Sequence, residues 1–347
     1  MSISSCRILA LSSGKGGVGK TSITINTGLA LTQKGYRVCV FDADTNLANI
    51  NIMLRQTPEY TLEHVINGKK SVTEIMLQKE GLYVVPGASG LSDFVNFNKQ
   101  QKDSLLQALN TCREVFDFIL IDSAAGISDS VLSFMQIAQQ NVLVITPEPT
   151  SLTDAFSLLK VFVKRKPVSH VSVIVNQVVH EQQAKSIYNR FSKAVEKYIG
   201  LSVDYIGGIV RDDYFSSSIC LQNPVILQNP NGDVSQNFQE IADIISHRQV
   251  NLSASEAIRH FVNVNEQAAP GFSPTQKEQA VLSRQNLLKA RLIKKIKQTE
   301  IKDEQLQLMI NMLTPESRSA EPEKMHNEDD KEAILCSIQY AQMAADV

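Results

Sequence analysis

The sequence predicts an α/β fold: a doubly wound, mostly parallel sheet of seven to eight strands, followed by a helical and partly disordered C-terminal extension. In residues 1–249, short apolar runs alternate with longer amphipathic stretches, which is the pattern of a parallel sheet with helices on both faces. A glycine-rich loop separates the first apolar run from the first amphipathic stretch. Of the 16 glycines, 15 precede residue 250, so the turn-rich part of the chain ends there.

Each predicted strand is apolar throughout, as expected where both faces of a strand are buried. The strands are Arg7–Ser12, Arg37–Asp42, Leu82–Val85, Phe116–Asp122, Asn141–Ile145, His170–Val175 and Val203–Ile209. Amphipathic stretches between them predict helices at Lys20–Gln33, Lys99–Thr111, Ser128–Gln139, Ser151–Val163, Glu181–Ile199 and Val234–His247. Residues 1–249 are therefore expected to form one domain, large enough to bury a core without a metal or a disulfide.

The rest of the chain is organised differently. Residues 250–313 are a predicted helical extension, and residues 314–347 are a predicted acidic, disordered tail. The patterns of this part predict helices at Ser253–Val262, Lys277–Leu313 and Glu332–Met343. Ala269–Pro274 is a predicted linker. Thr314–Lys331 is rich in Pro, Glu, Ser and Asp, a composition that buries too little apolar surface to fold.

The charge balance argues against a nucleic-acid partner. The chain has 34 Lys and Arg against 36 Asp and Glu, a net charge of −2. Residues 1–249 contain 22 basic and 22 acidic residues. Phosphate contacts dominate nonspecific DNA binding and need a basic surface, so no specific nucleic acid is expected and a DNA-partitioning role is disfavoured.

Cysteine spacing and hydropathy predict a cytoplasmic location. No apolar run approaches the roughly 20 residues needed to span a bilayer, and the N-terminus does not have the pattern of a secretory signal. The cysteines never form a C-x-x-C pair, which predicts a reducing compartment without a zinc site or an iron–sulfur cluster. The five are Cys6, Cys39, Cys112, Cys220 and Cys336.

The glycine-rich loop, G-K-G-G-V-G-K-T, begins at Gly14 and matches the G-x-x-x-x-G-K-[ST] pattern between a predicted strand and a predicted helix. Backbone N–H groups of such a loop surround a phosphate, and the helix dipole adds to the attraction; a plain glycine-rich turn is the alternative. Lys20 is expected at the β- and γ-phosphates and Thr21 at Mg²⁺. The sequence thus predicts ATP and Mg²⁺ as cofactors, held by Gly14, Gly16, Gly17, Val18, Gly19, Lys20, Thr21 and Ser22.

Two buried strands end in carboxylates that are expected to meet this loop. V-C-V-F-D-A-D ends in Asp42 and Asp44, and F-D-F-I-L-I-D-S-A-A-G contains Asp122 and ends at Gly126. Ligands of doubly wound sheets gather at the carboxyl ends of the strands. We expect Asp42 and Asp122 at the Mg²⁺ hydration shell, and Asp44 at the attacking water. Gly126 would offer its N–H to the γ-phosphate. For the aspartates, the alternative role is helix capping.

The loop carries a second lysine, Lys15, that phosphate binding alone does not need. In this it resembles the deviant Walker A motif of the MinD/ParA ATPases, in which that lysine crosses a dimer interface to the opposite nucleotide. The resemblance covers roughly residues 7–247. It implies a MinD-like P-loop NTPase fold and an ATP-bound homodimer with Lys15, Lys20 and Asp44 as catalytic residues; a merely solvated Lys15 is the alternative.

The same resemblance implies where the base binds. Asn176 follows a predicted strand and matches the family's adenine-recognising asparagine, whose amide suits the N6/N7 edge of adenine. Arg211 and Asp212 occupy the family's second base-contacting loop. This loop departs from the family pattern, because Val210 replaces the usual proline.

Within the family the chain looks most like the FlhG/FleN (YlxH) regulators of flagellar number. The segments that carry this likeness are D-S-A-A-G-I-S-D-S-V-L-S, P-E-P-T-S-L-T-D-A-F and D-A-D-T-N-L-A-N-I-N-I-M-L. The branch implies a switch ATPase that controls flagellar number or placement, with a flagellar transcription regulator or an FlhF-type GTPase as partner. Branch members stimulate that GTPase through a segment before the first strand; only Met1–Cys6 precede it here, which argues against that activity.

Other classes remain as alternatives. A MinD-type division-site ATPase shares the same motifs, and a nucleotide-gated adaptor or anti-activator would use hydrolysis only as a timer. A nitrogenase-reductase-like iron protein needs cysteines just beyond the switch strands, and an iron–sulfur scaffold needs C-x-x-C; the cysteine spacing disfavours both.

Residues 281–297 of the extension form a basic amphipathic pattern. Leu288, Leu292 and Ile296 recur at i, i+4 spacing, and all six charges of the segment are positive. A helix of this kind binds anionic membrane surfaces, with about 1 kcal/mol for each basic residue. We therefore expect peripheral binding at the inner face of the cell membrane or the cell pole; packing on the ATPase domain is the alternative.

Overall fold

A computed structural model of the chain describes residues 6–44, 50, 55–87, 98–165 and 170–248. All of these residues belong to one compact unit, Met1–Gln267. The segments 250–313 and 314–347, including the basic segment 281–297, lie outside the described residues, so their organisation stays a prediction.

The described residues form one sheet of eight strands. In chain order they are β1 Arg7–Ser13, β2 Val38–Ala43, β3 Leu77–Lys79, β4 Leu82–Val85, β5 Phe118–Ala125, β6 Gln140–Ile145, β7 His170–Val178 and β8 Asp204–Val210. Their order across the sheet is β3-β4-β2-β5-β1-β6-β7-β8. Every neighbouring pair is parallel except β3 and β4.

Ten described helices connect these strands. They are α1 Lys20–Gln33, α2 Leu62–Ile66, α3 Val72–Ile75, α4 Lys99–Val115, α5 Asp129–Ile137, α6 Pro149–Val163, α7 Glu181–Ile199, α8 Asp213–Cys220, α9 Val225–Gln228 and α10 Asp233–His247. Helices α1 and α8 to α10 pack on one face of the sheet, where Leu29 and Phe238 are fully buried. Helices α2 to α7 pack on the other, around Leu109 and Leu158. The sheet is therefore doubly wound, as predicted.

The predicted fold class is confirmed, and the differences have local causes. The observed α1 and α7 have the predicted bounds. Strand β5 begins at Phe118 instead of Phe116, because α4 continues to Val115 and Phe116 is its C-cap. Strand β3 was not predicted from the sequence; it has three residues and pairs antiparallel with β4.

The strand order determines where a ligand site forms. Because β2, β5, β1, β6 and β7 are parallel neighbours, their carboxyl ends lie along one edge of the sheet. We call this the carboxyl edge, and the opposite one the amino edge. Among the described helices, none is long and apolar enough to cross a membrane.

Candidate nucleotide-binding site

Residues 14–19 join β1 to α1 at the carboxyl edge. Gly17 and Gly19 have φ angles of 77° and 87°, a left-handed conformation that side chains with a Cβ rarely adopt. Gly19 is also the N-cap of α1. At Gly14 a Cβ would lie 2.1 Å from the backbone carbon of Asp154 in α6, so only glycine permits this packing. The loop therefore has the conformation and helix N-terminus that a phosphate site requires.

The beginning of α1 reaches Asp122 on β5. Lys20 is buried at the first position of α1. One turn later, Thr24 donates from Oγ1 to Asp122 Oδ1 at 3.2 Å, and Thr21 also forms a side-chain hydrogen bond with Asp122. Burial raises the pKa of Asp122 to about 6, although Lys20 and Thr21 oppose the shift. The predicted magnesium residues Thr21 and Asp122 are thus in direct contact.

Asp42 lies beside Asp122, because the two are paired in the register of β2 and β5. Both are fully buried, and Oδ2 of each has no hydrogen-bond partner. Burial and the neighbouring Asp122 raise the pKa of Asp42 well above its usual value. Two carboxylates with unpartnered oxygens beside a threonine hydroxyl fit Mg²⁺, which prefers oxygen ligands. Thr21, Asp42 and Asp122 are therefore the residues that would hold the ion.

Asp44 and Gly126 flank this carboxylate pair. The backbone N–H of Asp44 donates to Asp42 Oδ1 at 3.2 Å, and the Asp44 side chain is half-buried. Gly126 has a φ of 102°, and its N–H donates to Ser13 O at 2.9 Å. For the predicted contact with a γ-phosphate, the Gly126 N–H would first have to leave Ser13.

The predicted base-binding residues lie at the ends of β7 and β8. Asn176 is buried and donates from Nδ2 to Val18 O at 2.8 Å, so it contacts the phosphate loop itself. Arg211 is exposed and donates from Nε to Gln177 O at 3.2 Å. Asp212 is the N-cap of α8, where its side chain accepts from Phe215 N. Asp212 thus has a structural role that the sequence analysis did not assign to it.

Ser22 and Val210 also have structural contacts. Ser22 is buried in α1, and its carbonyl accepts from Asn26 Nδ2 at 2.8 Å. Asn26 Oδ1 in turn accepts from Ile226 N in α9. Val210 donates its N–H to Asn237 Oδ1 at 3.4 Å, a contact that the usual proline could not make.

Lys15 is held by its own chain. Its Nζ forms an ion pair with Glu148 and a hydrogen bond with Thr150 Oγ1 at 3.1 Å. Glu148 is the N-cap of α6 but makes no side-chain capping bond, and the ion pair with Lys15 lowers its pKa. A cation at a helix N-terminus is disfavoured by the helix dipole, so Glu148 is the group that holds Lys15 there.

Three residues of the site were not predicted from the sequence. Thr24 contacts Asp122, and Glu148 and Thr150 contact Lys15. The segment P-E-P-T-S-L-T-D-A-F was singled out only for its likeness to the flagellar branch. A glutamate at the carboxyl end of a strand next to β1 was the available signal for a partner of Lys15.

The family pattern of ParA, described as the NUBPL iron-transfer P-loop NTPase, matches residues 5–246. The chain belongs to the ParA family. Members of this family are ATPases. The chain is 34% identical over 237 residues to the antiactivator FleN of Pseudomonas aeruginosa, which covers 68% of this chain and 85% of FleN. It is 30% identical to the flagellum site-determining protein YlxH of Helicobacter pylori, with 69% and 81% covered.

Solved structures of ParA-family proteins confirm the MinD-like fold. The cell division ATPase MinD of Pyrococcus furiosus superposes with a TM-score of 0.57 at 25% identity, covering 69% of this chain and 98% of MinD. MinD of Pyrococcus horikoshii, solved with Mg-ADP, gives the same TM-score and identity and covers 70% of this chain and 96% of MinD. The resemblance to MinD/ParA proteins and to the flagellar branch is thus confirmed.

A role in iron transfer, as in the description of the family pattern, would require reactive cysteine thiolates as metal ligands. Cys6, Cys39 and Cys112 are free thiols buried in the core. Burial raises the pKa of Cys6 to about 12, and a hydrogen bond with Cys112 together with burial raises that of Cys39. Protonated, buried thiols are poor metal ligands. In the described residues, no group of three or more His, Cys, Asp or Glu side chains is arranged to hold a metal ion.

Proposed function

We propose that the chain is an ATP-dependent, dimerising switch ATPase that regulates flagellar number or placement and hydrolyses ATP to ADP and phosphate. Its family supports the ATPase activity. The flagellar role is supported by the two relatives of 34% and 30% identity, which are named an antiactivator and a flagellum site-determining protein.

The position of Lys15 is the observation that carries this proposal. Lys20 is buried at the start of α1, where we propose that the phosphates bind, whereas 37% of the Lys15 side chain is exposed. Its partner Glu148 is 53% exposed, so the pair is screened by water and weak. In the proposal, Lys15 leaves Glu148 when ATP binds and reaches the nucleotide of a second subunit.

The chain's own residues divide the chemistry of hydrolysis. Lys20 and the loop N–H groups bind the phosphates, and Asp44 orients the attacking water. Thr21, Asp42 and Asp122 would hold Mg²⁺, which would neutralise charge on the phosphates. Lys15 of the second subunit adds positive charge where negative charge develops in the transition state, which is the most effective place for it.

Three exposed apolar side chains support a second copy of the chain as the partner at the carboxyl edge. Ile127, Val179 and Tyr214 are 52%, 69% and 61% exposed and follow the carboxyl ends of β5, β7 and β8. Burial of such side chains is worth about 25 cal/mol per Å² removed from water. The same edge bears Lys15, so a dimer formed here would bury these groups and bring Lys15 to the opposite site.

Sedimentation with and without Mg-ATP tests the dimer. We expect the wild-type protein to be monomeric without nucleotide and dimeric with ATP. Asp44→Ala should remain dimeric, because it binds ATP without hydrolysing it. Lys34→Ala removes a lysine that pairs with Asp243 near the end of α1, away from the site, so as a control it should dimerise with ATP as the wild type does. An Asp44→Ala protein that stays monomeric with ATP would contradict the proposal.

The second candidate function is an adaptor that binds a transcription regulator in its ATP state. The name of the relative at 34% identity, an antiactivator, favours it. A pull-down from flagellated cells with Asp44→Ala protein separates the functions. If the Asp44→Ala protein captures a transcription regulator and represses flagellar genes more strongly, the adaptor function is supported. If the Asp44→Ala protein, held in its ATP state, no longer affects flagellar genes, a role that needs repeated hydrolysis is supported.

A division-site role is the remaining alternative. MinD of Bacillus subtilis is 26% identical over 254 residues and covers 72% of this chain. Deletion of the gene decides between the roles: altered flagellar number with normal septum placement supports the flagellar role. Minicells with normal flagella support the division role.

The proposed location is the cytoplasm, with peripheral binding to the inner face of the membrane or the cell pole through residues 281–297. All six charges of this segment are positive, as expected for a helix on anionic lipid. Co-sedimentation with vesicles containing anionic lipid should decrease when residues 280–313 are deleted. Unchanged co-sedimentation would remove the membrane role.

A further inference from the structure

Asn176 makes two hydrogen bonds that join the base side of the site to the phosphate loop. Its Nδ2 donates to Val18 O at 2.8 Å, and its Oδ1 accepts from Gln177 N, also at 2.8 Å. Val18 and Asn176 are both buried. The amide therefore lies between the loop and the end of β7, held on both sides.

The bond to Val18 determines the orientation of one peptide group of the loop. In a planar trans peptide, the C=O of Val18 and the N–H of Gly19 point in opposite directions. While Asn176 holds the Val18 carbonyl, the Gly19 N–H faces away from Asn176. A phosphate-binding loop works by presenting its N–H groups to the anion, and a carbonyl turned inward would repel it.

Gly19 is in close contact with the same amide. A Cβ at Gly19 would lie 2.5 Å from Asn176 Nδ2, closer than side-chain carbons approach other atoms. Gly19 also has a φ of 87°. The absence of a Cβ thus serves both the turn and the approach of Asn176, so the two residues form one structural unit.

The backbone after Asn176 fixes the amide from the other side. Gln177 has a φ of 60°, and the register between β7 and β8 shifts between Asn176 and Val178. Arg211 bonds to both sides of this bulge: its N–H donates to Val178 O at 2.7 Å and its Nε donates to Gln177 O at 3.2 Å. A strained bulge held by two bonds is typical of a segment that orients a functional side chain.

We propose that Asn176 is a positioning residue for the phosphate loop: by holding the Val18 carbonyl it presents the Gly19 N–H to the polyphosphate chain. The proposal rests on the proposed nucleotide binding and adds a role to base recognition. Its consequence is that Asn176 strengthens the binding of a polyphosphate that has no base at all.

The experiment measures the affinity of the full chain for ATP and for inorganic tripolyphosphate, both with Mg²⁺, by calorimetry. We expect Asn176→Ala to weaken tripolyphosphate binding roughly three- to tenfold, the equivalent of one lost hydrogen bond, and ATP binding by at least as much. Asn176→Asp keeps the shape of the side chain and the acceptor for Gln177 N but turns an oxygen toward Val18 O. Its loss of affinity for both ligands should therefore equal or exceed that of Asn176→Ala.

A control variant separates positioning from loss of stability. Asn141 is a fully buried amide at the start of β6, away from the carboxyl edge, and donates to Met135 O at 3.0 Å. Asn141→Ala should lower the thermal midpoint of the ligand-free protein without changing tripolyphosphate affinity. If Asn141→Ala loses as much stability as Asn176→Ala and also loses tripolyphosphate affinity, the proposal is overturned.

Two further outcomes distinguish this inference from the proposed function. If Asn176→Ala weakens ATP binding but leaves tripolyphosphate binding unchanged, Asn176 acts on the base alone and the inference is wrong while the proposed function survives. If the wild-type protein binds neither ligand, the proposed function fails and the inference fails with it.

Discussion

Charged side chains at the two edges of the sheet differ in the partners that surround them. At the amino edge, Arg7 donates to the carbonyls of Ile245 and Ser246 at the end of α10, at 2.5 and 3.1 Å. Arg248 pairs with Asp204 at 3.0 Å. Each of these guanidinium groups has partners at helix C-terminal carbonyls or at a carboxylate, which favour a cation, although Nε of Arg7 is buried without a hydrogen-bond partner.

At the carboxyl edge, the charges are placed unfavourably. Asp42 and Asp122 lie side by side, each with a buried oxygen that has no partner. Lys15 lies at the N-terminus of α6, the end of a helix that repels a cation. Buried polar groups without partners cost about 1–3 kcal/mol each. The amino edge therefore stabilises the fold, whereas the carboxyl edge has the arrangement that the proposed ligand and the proposed second subunit would complete.

Replacing Lys15 should produce the largest effect. We expect Lys15→Ala to slow ATP hydrolysis by about 10²- to 10³-fold, because one donor to the developing charge is lost. The unfolding free energy of the ligand-free monomer should change little, since the pair with Glu148 is exposed. Steady-state turnover and urea unfolding measure the two quantities. If Lys15→Ala instead lost much stability and kept normal turnover, Lys15 would stabilise the fold and not serve the site.

The buried carboxylates should make the ligand-free protein less stable as pH rises. The folded pKa of Asp122 is about 6, above the ordinary 3.8, so the folded state binds the proton more tightly. Stability is therefore fully present below pH 4 and falls by roughly 3 kcal/mol for Asp122 as pH rises through 6. The measurement is urea unfolding in EDTA between pH 4 and 7.

Asp122→Asn is the control for this pH dependence. It should flatten the decrease in stability over the same range, because the titrating group is gone. Asp42 shifts in the same direction, so a residual slope is expected. If stability instead rises with pH to the same degree in both proteins, the carboxylate pair does not have the environment described.

Replacing Arg7 should have the smallest effect, and it should be confined to stability. Arg7→Met keeps the apolar stem but removes two charge-assisted hydrogen bonds to α10, which we expect to lower the unfolding free energy by about 2–3 kcal/mol. ATP turnover should remain that of the wild type at a temperature where both proteins are folded. Slower turnover would show that the amino edge also affects the site.

Motif-bearing parts of the chain could be predicted closely from sequence. The bounds of α1 follow from the phosphate loop that starts it, and Asp42 and Asp122 follow from apolar strands that end in carboxylates. Glu148 was missed as the partner of Lys15 because the two are 133 residues apart and meet only through the positions of β1, β6 and α6. The contact of Asn176 with Val18 depends in the same way on tertiary structure.

Short elements were missed for a different reason. Strand β3 has three residues and helices α3 and α9 have four, too few for a period of alternating polarity to appear. Their positions are determined by packing against longer neighbours. The residues of the predicted nucleotide site lie on longer elements or directly after them, so their prediction did not depend on recognising these short elements.

We propose that Lys15 acts in the opposite subunit, and a mixture of two inactive variants reveals whether it does. Lys15→Ala and Asp44→Ala proteins are combined before ATP is added, and ATP turnover is measured. In a mixed dimer, the Lys15→Ala subunit keeps its own Asp44 and receives Lys15 from its partner. We predict recovery to roughly a quarter of the wild-type rate, because half of the dimers are mixed and each has one complete site. No recovery in a mixture shown to contain mixed dimers would mean that Lys15 does not act on the nucleotide of the opposite subunit.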